Sequence, residues 1–134
     1  MQCIYDKEAY GIYLMRIYMD NCCYNRPYDN QSQMRIHLET QAKLYIQQLV
    51  QAKKLELVTS YVLEYENSHN KFAVRKTAIQ SFINEYESFH VGVEHKQDVE
   101  KQARLIMASG VKEKDAAHVA CAENCRVRLF YYHR

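Results

Sequence analysis

Hydrophobic and polar positions alternate between two periods along this chain. Residues 16–20, RIYMD, alternate and carry aromatic and β-branched types, which predicts a short strand ending at Asp20. The following NCCYNRPYDN, with Pro27 and three asparagines, predicts a loop. From Ser32 to Lys54, Leu38, Ala42, Tyr45, Ile46, Leu49 and Val50 recur at helical steps, which predicts a helix with that face toward the core. LELVTS, 55–60, predicts a second strand, followed by a turn of helix carrying Glu64 and Glu66 and a polar break at SHN. Val74, Ala78, Ile79, Phe82, Ile83 and Tyr86 mark another amphipathic helix, and SFHVGV, 88–93, a third strand. Val99, Ala103, Ile106 and Met107 mark a helix that stops near Gly110, Asp115 begins the next, and RVRLFYY, 126–132, closes as a strand.

Strands separated by helices of ten or more residues require crossover connections. The expected fold is therefore α/β, a three-layer α/β/α sandwich with a mostly parallel central sheet. In such sheets, ligands bind beyond the carboxyl ends of the strands, where Asp20 falls.

Composition narrows the choices further. A chain of 134 residues, 48% hydrophobic and 25% charged with three glycines and one proline, has the length and make-up of one soluble domain. A net charge of +2 does not by itself mark a nucleic-acid binder. The three glycines make neither a dinucleotide fingerprint nor a phosphate-binding loop. Five cysteines, with Cys22 and Cys23 adjacent and no C-x-x-C, suit a reduced compartment, so a cytoplasmic location is expected. No apolar run is long enough to span a membrane. The six histidines, His37, His69, His90, His95, His118 and His133, form no H-E-x-x-H, and His118 is expected to pack or cap. The twelve tyrosines are dispersed, mostly on core-facing periods, and so are expected to pack rather than to form a stacking platform.

Three acidic stretches remain: Asp20, Glu64 with Glu66, and Asp115. Brought together they would form an oxygen-ligand cluster suited to Mg2+ or Mn2+. Each has an ordinary alternative, and an acid in a first helical turn such as Asp115 is favoured by the helix dipole alone. Glu64 and Glu66, two positions apart on a helix, lie about 200° apart around the axis, so only one can face the strand ends.

RIYMDNCCYNRP, LVTSYVLEYEN and GVKEKDAAHVACA resemble, in order and spacing, segments of PIN-domain proteins, the nuclease fold of VapC-type toxins. The resemblance spans residues 15–122, and its most specific part is KEKDAAHVACA. It implies a metal-dependent endoribonuclease, the toxin of a toxin–antitoxin pair, with an RNA substrate and a small antitoxin protein as partners. Asp20 and Asp115 would be metal ligands and catalytic acids. Glu66, six residues after Ser60 as in the family, would hold the metal or order its water. Asn21 and Ser60 would support them by hydrogen bonds.

Two departures stand out. No Asp or Glu follows Glu123, so the family's fourth acid is missing. A C-terminal truncation or frameshift would account for this. Residues 1–14 precede Met15, at which the domain could start; they are either upstream of the true start or an added edge strand or arm over 9–14, leaving 15–134 as the single domain. The alternative function is a catalytically impaired PIN-like relic or a protein- or RNA-binding module. A receiver-like domain fits less well, since no strand-end lysine is suitably placed. The oligomeric state, a homodimer included, stays open.

Overall fold

A computed structural model describes residues 4–7, 12–127 and 129–131. Its elements are β1 (Ile4–Lys7), β2 (Ile12–Met19), α1 (Asn21–Asn25), a 3-10 turn (Arg26–Tyr28), α2 (Met34–Gln51), β3 (Leu55–Ser60), α3 (Tyr61–Ser68), α4 (Ala73–Tyr86), β4 (Glu87–Val91), a second 3-10 turn (Val93–His95), α5 (Lys96–Met107), α6 (Glu113–Asn124) and β5 (Leu129–Tyr131).

β2 pairs in parallel with β3, β3 in parallel with β4, and β5 in parallel with β2. β1 alone runs antiparallel, pairing Ile4–Lys7 with the first half of β2, on residues 12–15, while β5 pairs with the second half, on 17–19. The expected α/β/α sandwich with a mostly parallel sheet is thus the observed architecture. All six residues of β3 are buried, as a strand covered by helices on both faces requires. An edge strand runs over Ile4–Lys7 and residues 12–14 belong to β2 itself, while the rest of the expected 9–14 edge strand or arm lies outside the described residues.

The chain leaves β2 toward β3 and β4, then returns across the sheet to place β5 on the other side of β2. β2 is thus the central strand, with β3 on one side and β1 and β5 on the other, and Asp20 follows its carboxyl end.

Two expectations need correction. NCCYNRPYDN is not a loop, because Asp20 caps α1 by accepting a hydrogen bond from the Cys23 amide at 3.0 Å, and Pro27 then sits in the first turn of the 3-10 segment. The helix from 34 to 51 exists, but its inward face is rotated. Leu38 and Tyr45 are exposed, whereas Glu39, Thr40 and Lys43 are buried. Arg26 accounts for part of this: its guanidinium donates to Glu39, and its carbonyl accepts from the Thr40 hydroxyl at 3.1 Å. Val74 and Ala78, expected on the core side of α4, are exposed as well. Tyr45 and Tyr65 lie more than half exposed, so the tyrosines are less uniformly core residues than expected.

Arg16 fastens the opposite end of the sheet. Its Nε donates to Glu56 on β3 at 3.3 Å and its Nη1 to the Cys125 carbonyl just past α6 at 3.0 Å, while its guanidinium lies 3.5 Å from the Phe89 ring centroid. A cation next to the last carbonyls of a helix is favoured by the dipole. Arg16→Met should cost about 2 kcal/mol by urea unfolding, because it leaves the mostly buried Glu56 carboxylate without its cation. Arg16→Met/Glu56→Leu should recover most of that loss. A double variant no more stable than the single one would contradict this account.

Candidate functional site

Asp20 is placed by three local facts. It follows the last residue of the central strand, it caps α1, and it is only 4% exposed. Burial raises its carboxyl above the ordinary range; the Cys23 hydrogen bonds and the nearby His118 oppose this, and Glu66 adds to the rise. A buried carboxylate with a second carboxylate in its field gives up its proton less readily than an exposed one.

Glu66 lies on the α3 side facing the sheet end and is half-buried; its Oε1 is hydrogen-bonded to His118 Nε2. Glu64, two residues earlier, is exposed, with His90 3.9 Å away. Ser60 begins α3 as its cap, its hydroxyl oxygen accepting from the Leu63 amide at 3.1 Å. Asn21 opens α1, and both its carbonyl and its side-chain oxygen accept from the Asn25 amide group, which in turn accepts from Asn70. Asp115 sits half-buried in the first turn of α6.

Cys22 registers all three acids at once. Burial raises its thiol first, and Asp20, Glu66 and Asp115 each raise it further, against the opposing field of Arg26. Acids from β2, α3 and α6 are therefore within electrostatic reach of one point at the carboxyl end of β2. Among the described residues, however, no group of three or more His, Cys, Asp or Glu side chains is arranged to hold a metal ion. The oxygen donors and the sign of the charge fit Mg2+ or Mn2+. The positions do not close into a cage, because Glu66 is turned to His118 and one oxygen of Asp20 is held by the Cys23 amide.

Other chemistries fare worse. Burial pushes the thiols of Cys22, Cys23 and Cys121 up, that of Cys121 to about 12, which is the opposite of what a nucleophilic thiolate needs. A groove of about 1060 Å3 between α3, α5 and α6, lined by Tyr61, Tyr65, Val93, Lys96 and Met107 among others, takes in none of Asp20, Glu66 and Asp115. No helix among the described residues is long and apolar enough to cross a membrane.

Sequence reasoning missed Tyr18 and the part played by His118. Tyr18 is fully buried on β2, with its hydroxyl 2.7 Å from both Ser60 Oγ and His118 Nδ1. The available signal was spacing: Tyr18 precedes Asp20 by two residues and so faces the same side of the strand, and His118 follows Asp115 by one helical turn.

No family model matches the chain, and no curated protein matches it. Among solved structures, it is similar to a chain in the crystal structure of VapBC2 from Rickettsia felis bound to a DNA fragment from their promoter. The identity is 10%, the match covers 90% of this chain and 100% of that one, and the TM-score is 0.46.

Proposed function

We propose that this protein is a divalent-cation-dependent phosphodiesterase acting on RNA, working from the carboxyl end of β2. The observation that supports the reading is that Asp20, Glu66 and Asp115, from three separate elements, all raise the thiol of Cys22. The sequence resemblance to PIN-domain ribonucleases supports it independently and supplies RNA as substrate and a small antitoxin protein as partner. Asp20 and Asp115 would hold Mg2+ or Mn2+, and Glu66 would orient a water molecule. A bound cation would acidify that water and neutralise the scissile phosphate.

Isothermal titration with Mn2+, followed by incubation of the protein with structured RNA, tests the proposal. Saturable binding and metal-dependent cleavage are expected. The second reading is a binding module without catalysis, favoured by the engagement of Glu66 with His118. Absence of Mn2+ binding at millimolar concentration would select it.

A further inference from the structure

We propose that Tyr18 and His118 are positioning residues that hold the Glu66 carboxylate through one continuous, buried chain of hydrogen bonds starting at the cap of α3. The inference rests on Glu66 belonging to the functional site and specifies how that residue is held.

The chain runs from the Leu63 amide to Ser60 Oγ at 3.1 Å, on to the Tyr18 hydroxyl at 2.7 Å, to His118 Nδ1 at 2.7 Å, and from His118 Nε2 to Glu66 Oε1. Tyr18 and Ser60 are fully buried and His118 is 3% exposed, so water does not complete these bonds from outside. Counting protons gives the chain a direction. An ionised carboxylate only accepts, so His118 Nε2 carries a hydrogen and donates to Glu66. A neutral imidazole then has its lone pair at Nδ1, which accepts from the Tyr18 hydroxyl. The Tyr18 oxygen accepts from Ser60, and the Ser60 oxygen accepts from the Leu63 amide. With the His118 ring neutral, every hydrogen points toward Glu66, and no buried donor or acceptor along the way is left unmet.

The chain ties together the elements that carry the acids. Tyr18 is on the strand of Asp20, His118 is on the helix of Asp115, and Ser60 caps the helix of Glu66. Close packing alone would be served by Phe at 18 and Leu at 118. Polar groups at both positions make the direction of one carboxylate depend on the placement of the other two.

The test combines ring spectroscopy with metal affinity. Long-range 1H–15N spectra of the protein should show His118 protonated at Nε2 and bare at Nδ1, with the Nε2 signal shifting in Glu66→Gln. His118→Gln places an amide donor where Nε2 stood and should keep Mn2+ affinity within about threefold. His118→Asn reaches only toward Tyr18 and should lose about 10- to 100-fold, as expected for a group that orients a ligand. A purely structural role would lower the unfolding midpoint of both variants alike without separating their affinities, and that result overturns the proposal. If the parent binds no Mn2+, the metal reading of the site fails by itself and the spectra alone decide. A ring protonated at Nδ1, or an Nε2 signal indifferent to Glu66→Gln, then sinks the positioning role.

Discussion

Asp20→Asn should reduce Mn2+-dependent RNA cleavage by about 10²-fold or more while leaving the protein no less stable than the parent. The two halves of this expectation have separate causes. An amide brings no negative charge to a cation or its bound water, so the electrostatic part of the catalysis is lost. Asparagine is as good a helix cap as aspartate, so its side-chain oxygen can still accept from the Cys23 amide. The sign of the stability effect follows from the direction of the Asp20 shift. Its carboxyl is raised in the folded state, chiefly by burial. Whatever stability the protonated acid contributes is complete below its unfolded pKa and is lost as the pH rises through the folded value. At neutral pH the ionised side chain therefore opposes folding, and the neutral amide removes that opposition. Asp20→Ala would lose activity too, but with about 1 kcal/mol of capping energy. Urea unfolding and RNA cleavage measured on both variants check the pattern. An Asn variant that cleaves at the parent's rate would remove Asp20 from the mechanism.

The order of elements was readable because it depends on local periodicity. β3 is short and carries Leu55, Leu57, Val58 and Thr59, and α6 opens with acids in its first turn, so both announce themselves within a few residues. What could not be read were features decided by residues distant in sequence. The inward face of α2 carries Glu39, and Arg26 meets it from the preceding turn, so a charge stands where periodicity asked for Leu38. The 21–30 segment misled for a different reason. Its asparagines and proline have turn propensity, yet Asp20 is the capping signal for a helix that begins at Asn21. The candidate acids were visible one by one. Their common field at Cys22 depends on the return of the chain across the sheet to α6 and β5, and the His118 link to Glu66 spans 52 positions.

Lys43→Met should stabilise the protein at pH 7 by about 2 kcal/mol, and the advantage should vanish as the pH approaches that at which an ordinary lysine loses its proton. Lys43 is 6% exposed on the inward side of α2, where its ammonium donates to Gln47 and lies 5.7 Å and 5.8 Å from the ring centroids of Tyr24 and Phe82. Those contacts do not replace lost hydration, and burial lowers its pKa to about 8 from an ordinary 10.5. Between these values the unfolded chain holds a proton that the folded one has released. Stability therefore rises with pH across that window, by about 3 kcal/mol at 1.36 kcal/mol per unit. Below pH 8 the folded state carries the full cost of the buried charge. Methionine has nearly the same volume and no charge, so it removes that cost and gives up only the Gln47 bond and the two ring contacts, together about 1 kcal/mol. Comparing variant with parent at each pH cancels the titration of all other groups, which makes the difference in unfolding free energy between pH 7 and 10.5 the decisive measurement. A difference that stays constant over that range would mean that Lys43 keeps an ordinary pKa and that α2 does not bury its charge.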